Sequence, residues 1–283
     1  MTNKQETFPK PESIDQKIFA QLETIMAPFV QDIPENEKFK KNIDSVEEHK
    51  PEWHQFGIIT HTKKFAEAFK NQTKNYLQEW GFEDQVNQVL QEKIDDKTKE
   101  ELILISIAFH DLGKIARGYK DNNGQRVPDY AGHEAKSEEL LLNNPELQKL
   151  LRSYALTDAQ IKYIARCAGL HFELGKIRKA AKKTALKYTL AFTESPEFVQ
   201  ESKNIAAEYP DYKTEIGLLF LCDNLAKTDL TITANSDTEI EAQTTVIKEE
   251  IKRRGLHPDL LAAAKQNPIN IAVAREYFEI IYS

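Results

Sequence analysis

The run at residues 101–114, ELILISIAFHDLGK, constrains the fold of this chain more than any other segment. A helix that carries apolar side chains on all of its faces is stable only when protein surrounds it, because no polar face remains for water. The run therefore predicts a central buried helix. Gly113 is of a residue type that commonly follows a helix end, so we expect the helix to end there. The pair His110 and Asp111 then lies in the protein interior.

Two further amphipathic helices each carry one polar side chain on an apolar face. The apolar residues of the first are seven or four positions apart, which fits the period of a helix: Ile58, Phe65, Phe69, Tyr76 and Trp80. His61 lies on the same stripe and is expected to point toward the core. The second helix lies in TEIGLLFLCDNLAKTDL, where Asp223 shares a face with these residues: Ile216, Leu219, Phe220 and Ala226.

Two more histidines fall at positions where helices begin or end. His133 stands at the start of a predicted helix, after the polar segment YKDNNGQRVPDYAG, which we interpret as a loop. Thr157 and Gln160 form a capping-box pattern that starts another helix, and its apolar face continues to His171. His133 could instead face solvent, and His171 could be a hydrogen-bonded core histidine.

The buried aspartates call for a positive partner. An ionised carboxylate inside LLFLCDNLA costs several kcal/mol unless a cation or several hydrogen-bond donors meet it. An arginine or lysine elsewhere in the chain is one candidate partner of Asp223, and a metal ion is the other. Imidazole nitrogens and carboxylates from separate helices form the kind of ligand set that binds a divalent transition metal.

Composition limits the classes of function. The formal net charge of −7 repels polyanions, so nonspecific nucleic-acid binding is disfavoured. No stretch reaches the roughly 18 apolar residues of a membrane span, and no secretory signal is visible at the N-terminus. The two cysteines, Cys167 and Cys222, form no metal or redox motif. A cytoplasmic protein is expected.

These motifs together resemble a known family. The order His61, then FHDLGK at 109–114, then CDNLAK around Asp223, is similar to the HD superfamily of metal-dependent phosphohydrolases. Within it, PEWHQFGIITHT, FHDLGK and GHEAKSEELL most resemble the HD domains of bacterial tRNA nucleotidyltransferases. The resemblance covers roughly residues 50–230. Nothing in the chain resembles the nucleotidyltransferase catalytic domain, so that activity is not expected.

The resemblance implies an all-α HD-domain bundle and a set of metal ligands. In the family, one metal is held by the residues that match His61, His110, Asp111 and Asp223. Members with two metals add two histidines between the doublet and the last aspartate, and the doublet aspartate bridges. Here His133 and His171 complete that pattern, so we predict two divalent transition ions per chain, from manganese, iron, nickel or cobalt, with magnesium possible. A single-metal version stays open.

The resemblance also implies hydrolysis of a phosphoester, phosphodiesters included, by a metal-activated water, with Asp111 as the bridging carboxylate. Lys114 could hold a substrate phosphate, or it could simply be a helix C-terminal lysine that interacts with the dipole. Arg117, Arg166 and Lys136 are weaker phosphate candidates. His54 is interpreted as a structural residue or as one that supports the ligands without binding the metal, and His49 and His257 have no partner that the sequence identifies.

Two rival functions share these features. A branch of the superfamily uses the same six ligands to hold two irons and activate oxygen, and a regulatory module could keep the fold and bind a nucleotide or metal without turnover. The sequence does not identify the nucleotide or other phosphoester, nor the oligomeric state. Three regions are predicted: an extension with an accessory helix over 1–49, the HD domain over 50–235, and a helical extension over 236–283.

Overall fold

The computed structural model describes residues 12–177 and 189–283 of the chain. Over these residues the protein is built from helices, with two small β-hairpins, so the all-α prediction is confirmed. The first eight helices run in this order: α1 Ile14–Ala20, α2 Leu22–Met26, α3 Glu37–Lys41, α4 Ile58–Asn71, α5 Thr73–Trp80, α6 Glu83–Leu90, α7 Lys99–Phe109 and α8 Leu112–Ile115.

The remaining described helices follow the second hairpin, with one gap in the description between the third and the fourth. They are α9 His133–Asn143, α10 Pro145–Ser153, α11 Asp158–Leu170, α12 Pro196–Glu208, α13 Lys213–Ala226, α14 Asp237–Arg253 and α15 Leu260–Tyr282. Short 3₁₀ turns lie at Ala27–Phe29, Pro34–Asn36, Glu47–His49, Glu173–Lys176 and Leu190–Glu194.

Helix α7 is the central helix that its composition predicts. It contacts α1, α4 and α11, and nearly all of its apolar side chains are buried. Thr98 and Glu101 form a capping box at its start, which satisfies backbone N–H groups that would otherwise lack partners. Helix α13 is the second such element, buried between α4 and α15. These two helices carry His110 and Asp223 into the interior.

The prediction that Gly113 ends the central helix is wrong. Helix α7 ends at Phe109, His110 caps it, and the short helix α8 begins after Asp111 and contains Gly113. A side chain at position 113 would place Cβ 2.1 Å from the carbonyl oxygen of His133. Gly113 therefore lets α8 lie directly against α9, which is a close-approach role rather than a helix-ending one.

Two other local predictions need correction. The helix drawn from Ile58 to Trp80 is broken at Gln72 into α4 and α5. The segment interpreted as a loop forms the antiparallel pair β3 Gly118–Asn122 and β4 Gln125–Asp129, and β1 Lys93–Ile94 pairs with β2 Lys97–Thr98. Asn123 and Gly124 both have positive φ angles, as the two central residues of a tight hairpin turn require.

The helices before and after the central region pack onto the same protein body. Ile18, Leu22 and Met26 are fully buried in the main core, and α1 contacts α7. Helix α15 lies along α13, and its Phe278 joins that core. Helix α14 and the first part of α15 enclose a separate cluster around Ile240. The division into three regions at 50 and 236 stays a prediction.

Candidate metal centre

The six predicted ligands converge at one buried place, although each lies in a different helix or is a residue that caps one. Five are no more than 3% exposed, and the sixth, His133, has a side chain that is 12% exposed. The set consists of His61, His110, Asp111, His133, His171 and Asp223. Only α4 and α13 present a ligand from mid-helix; the other four ligands lie at helix ends.

Each histidine of the set is oriented by a bond from its Nδ1 to a backbone carbonyl oxygen. The distances are 3.2 Å for His61 to Ala226, 2.8 Å for His110 to Ile107, 3.0 Å for His133 to Tyr130 and 2.8 Å for His171 to Ala168. A carbonyl only accepts, so Nδ1 carries the proton and donates it. The lone pair is therefore on Nε2, which is the arrangement found where a histidine binds a metal.

The Asp111 carboxylate divides these Nε2 atoms into two groups. Its Oδ2 lies 3.3 Å from Nε2 of His110 and 4.0 Å from Nε2 of His61. Its Oδ1 lies 3.2 Å from Nε2 of His133 and 3.9 Å from Nε2 of His171. One oxygen thus faces each pair of imidazoles, as expected for a carboxylate between two cations.

Asp223 completes the first of these groups. Its Oδ1 lies 3.1 Å from Nε2 of His61, and its Oδ2 lies 2.9 Å from Nζ of Lys227. Ligand atoms of His61, His110 and Asp223 lie within 4.8 Å of one another, and so do those of His110, Asp111 and His171. Both spacings are short enough for a single ion to contact all three residues of a group.

The polar atoms at the centre test whether a cation fits. Nε2 of His110, Oδ1 of Asp111 and Nε2 of His133 are buried and have no hydrogen-bond partner among the described residues. With the proton of His133 on Nδ1, two electron-pair donors face each other across 3.2 Å without a hydrogen between them. Such an arrangement is unfavourable unless a positive charge lies between the atoms. The donor set therefore fits a metal ion.

Burial and charge keep the site in the protonation state that a metal needs. Burial lowers the pKa of His61, and it lowers the pKa of His171 well below its usual range. Burial alone would raise the pKa of Asp111, but the adjacent His110 imidazole and the Lys114 ammonium hold it well below its usual range. The pKa of Asp223 is likewise held low against burial, mainly by Lys227. The imidazoles of His61 and His171 are therefore neutral, and the two carboxylates are ionised.

Two further histidines border the centre: His49, which the sequence analysis missed, and His54, which it predicted to have a supporting role. His49 is 1% exposed, and its Nε2 lies 3.6 Å from Oδ2 of Asp111. His54 stacks on it, with ring centroids 3.9 Å apart. His49 lies in a 3₁₀ turn, and no periodic pattern around it predicts an inward side chain. Six of the seven histidines are thus in one cluster, while His257 is exposed beside Asp259.

The proposed phosphate-binding residues separate into two classes. Nζ of Lys114 lies 2.8 Å from Oδ2 of Asp111, so this lysine is in the centre. Arg117 is fully buried and donates to the carbonyl oxygen of Glu48 and the hydroxyl of Tyr130. The other two candidates pair with glutamates: Arg166 with Glu138 and Lys136 with Glu139. Among the described residues, no hydrogen bond or ion pair joins Arg117, Arg166 or Lys136 to a predicted ligand.

His133 connects the centre to the surface. It lines a cavity of about 310 Å³ together with Gly113, Tyr119 and Lys136. A larger cavity, of about 530 Å³, lies between Trp80, Leu225 and Arg275 and is lined by none of the six predicted ligands. We associate the smaller of these two cavities with the centre because His133 lines it.

Replacing Gly113 by alanine is expected to destabilise the contact between α8 and α9. The added Cβ would meet backbone, which cannot rotate away, so the helices must separate. Ser137 Oγ accepts from the Gly113 N–H at 2.8 Å and also lies 2.8 Å from the His110 carbonyl, so this network would be strained. We expect a loss of about 1–3 kcal/mol in the free energy of unfolding, measured by denaturant titration. Gly118→Ala, where Cβ would meet nothing within 4 Å, is the control.

No protein-family model matches the chain, and no curated protein matches it either. Among the described residues, no helix has both the length and the apolar character needed to cross a bilayer. The fold and the centre define the protein as a helical protein with a buried histidine–aspartate cluster compatible with metal binding.

Proposed function

We propose that this protein is a metal-dependent phosphoric ester hydrolase of the HD type, which acts on a small phosphorylated molecule such as a nucleotide. The observation that carries the proposal is the Asp111 carboxylate, with one oxygen toward His61 and His110 and the other toward His133 and His171. This placement suits a carboxylate that bridges two ions.

The ligands form two groups around that carboxylate. His61, His110 and Asp223 would hold one divalent ion together with Asp111, and His133 and His171 would hold the other. Nitrogen-rich shells of this kind suit manganese, iron, nickel or cobalt better than calcium. Such ions, when bound, supply a deprotonated water as nucleophile and neutralise charge on the phosphoryl oxygens.

The protein's own residues supply orientation and charge. The four bonds from Nδ1 to backbone carbonyls fix the imidazole planes. Each Nε2 therefore already points toward the proposed metal site before an ion binds. Lys114 places an ammonium group beside Asp111, where it would contact a phosphoryl oxygen of the substrate. Burial of these groups strengthens each electrostatic interaction, because little water is present to screen it.

Metal content and hydrolysis, measured on the same sample, test the proposal. Protein purified without chelators is analysed for metals by mass spectrometry, then assayed with p-nitrophenyl phosphate, bis-p-nitrophenyl phosphate and a nucleotide panel under added manganese. Two transition ions per chain with turnover support the hydrolase. Iron-dependent oxygen uptake without hydrolysis would favour the diiron oxygenase, and metal-free, inactive protein that binds a nucleotide would favour the regulatory module. The cytoplasmic location stays a prediction.

His171→Ala is expected to remove one of the two ions and leave the fold intact. The side chain lies beside Oδ1 of Asp111, its ring contacts the rings of His110 and His133, and its Nδ1 bonds to Ala168 within its own chain turn. We expect metal content to fall from two ions to one, with a thermal unfolding transition that remains cooperative. The exposed His257→Ala is the matched control. Two ions per chain in the His171 variant would refute the dinuclear assignment.

A further inference from the structure

Lys227 occupies the same relation to Asp223 that Lys114 occupies to Asp111. Nζ of Lys227 lies 2.9 Å from Oδ2 of Asp223, and Nζ of Lys114 lies 2.8 Å from Oδ2 of Asp111. Each lysine follows its aspartate by about one helical turn. Their side chains are 18% and 10% exposed, so both ammonium groups are largely shielded from water. Two lysines therefore flank the centre, one at each carboxylate.

The surroundings hold the Lys227 ammonium at the centre. It donates to Oδ1 of Asn224 at 2.9 Å and lies 5.1 Å from the centroid of the Phe172 ring, next to His171 in the chain. The backbone carbonyl of Lys227 accepts from the N–H of Gln55 at 2.9 Å, which fixes the start of the side chain. Asn224 is itself bonded to Asn270 of α15. Lys227 is thus held in place by contacts with Asn224, with Gln55 and with the Phe172 ring.

The lysines and the proposed ions share the same carboxylate oxygens. A divalent ion attracts a carboxylate oxygen more strongly than an ammonium does and repels the ammonium itself. With ions at Asp111 and Asp223, the two lysines would lose part of their interaction with the carboxylates. Each would then have at least one N–H donor directed at whatever anion binds beside the ions.

The formal charges indicate which anion fits. The two lysines cancel the two aspartates, so the charge of the bound ions is balanced only by the nucleophile and the substrate. A phosphomonoester, which is a dianion above its second pKa of about 6, compensates more of that charge than a phosphodiester monoanion does. Uncompensated charge in a buried site is unfavourable, so the dianion is the better ligand.

We propose that Lys227 and Lys114 together bind the phosphoryl oxygens of the substrate and that this substrate is a phosphomonoester rather than a phosphodiester. The inference rests on the proposed function, since it assumes ions at the two carboxylates. It assigns to Lys227 a substrate-binding role that goes beyond charge compensation of Asp223. Lys227 then determines specificity, because its charge favours the dianion.

Calorimetry with simple phosphates tests the assignment without relying on turnover. Manganese-loaded protein is titrated at about pH 8 with methyl phosphate, a dianionic monoester, and with dimethyl phosphate, a monoanionic diester. We expect the wild type to bind methyl phosphate more tightly. Lys227→Gln should bind it at least about tenfold more weakly, because a charge-assisted hydrogen bond is lost. Lys227→Arg should restore most of the affinity, and metal content should be the same in all samples.

The control is Lys70→Gln, which removes a lysine that pairs with an aspartate away from the centre, Asp15, and should leave phosphate binding unchanged. If Lys227→Gln holds its metal and binds methyl phosphate within about twofold of wild type, the inference is overturned and the hydrolase proposal stands. Equal or tighter binding of dimethyl phosphate by the wild type also overturns it. A wild type that takes up no manganese overturns the proposed function and, with it, this inference.

Discussion

Asp111→Ala is expected to remove the metal from the protein and to lower phosphoester hydrolysis more than about a hundredfold. Loss of a group that only orients a metal ligand costs about 10–100-fold in metal affinity or activity, so loss of a shared ligand should exceed that range. The carboxylate is the one group that faces both pairs of histidines, and nothing else among the described residues replaces its two oxygens. Both metal content and initial rates under saturating manganese measure the effect.

The variant should still fold, which separates the loss of chemistry from the loss of structure. The Asp111 side chain makes no hydrogen bond to the backbone among its described contacts. Its partner Lys114 has a side chain that is 10% exposed, so the ammonium group can be hydrated when the carboxylate is removed. Asp158→Ala is the control, because that aspartate pairs with Arg152 at an exposed place, and it should retain metal and rate. Normal metal content in Asp111→Ala would contradict the assignment of the centre.

Periodicity and composition predicted the helices that carry the centre. The run at 101–114 indicated a buried helix, and α7 is buried on all sides because no polar face interrupts its apolar residues. The stripe through His61 and the face of Asp223 gave the correct inward direction for both side chains, since the spacing of a regular helix fixes which residues share a face. The sequence thus predicts whether a side chain in the middle of a helix points toward the core.

The local details at helix ends were less predictable. The break between α7 and α8 depends on how closely α8 approaches α9, and Gly113 allows that approach through a contact with His133 that is distant in sequence. The hairpin after α8 has a usable local pattern, Asn123–Gly124 between two short polar strands, which the interpretation as a loop overlooked. The helix end at Gly113 was predicted wrongly because it depends on long-range packing. The hairpin was predicted wrongly because the turn pattern at Asn123–Gly124 was overlooked.

The orientation of the ligands could not come from the sequence alone. Three of the four Nδ1 bonds reach a carbonyl three residues earlier in the chain, from His110, His133 and His171, and each requires the helix to begin or end at that histidine. His49 reaches Asp111 only because its 3₁₀ turn packs against α8. The sequence indicated which residue types meet, and tertiary packing determines how their atoms face one another.

The metal-free protein is expected to lose stability steeply as the pH falls below about 6.5. Burial lowers the pKa of His49 to about 3 and also lowers the pKa values of His54, His61 and His171. In the unfolded chain these histidines bind protons near pH 6.5, whereas in the folded protein they do not. Protons therefore favour the unfolded state, so stability is complete above about pH 6.5 and decreases below it.

The expected size of this effect is large compared with the stability of a typical domain. Each histidine whose pKa lies well below its usual value contributes about 1 kcal/mol over the first pH unit below 6.5. His49, His54 and His171 together therefore remove about 3 kcal/mol of a total of about 5–15 kcal/mol, and His61 acts in the same direction. For His49 the loss continues down to about pH 3. The low pKa values of Asp111 and Asp223 act in the same direction at still lower pH, because these carboxylates also bind protons more readily in the unfolded chain.

Urea unfolding with a chelator present, repeated at several pH values between about 7 and 5, measures the slope. His54→Asn, which removes one buried imidazole that is not itself a predicted ligand, should make the slope shallower by about 1 kcal/mol per pH unit. His257→Ala should leave it unchanged, because that side chain is exposed. Saturating manganese should raise stability most at neutral pH, since the ions bind neutral imidazoles in competition with protons. A stability that stays constant from pH 7 to 5 would mean that these histidines take up as many protons in the folded protein as in the unfolded chain, and a cluster that becomes cationic in this way would be poorly suited to metal binding.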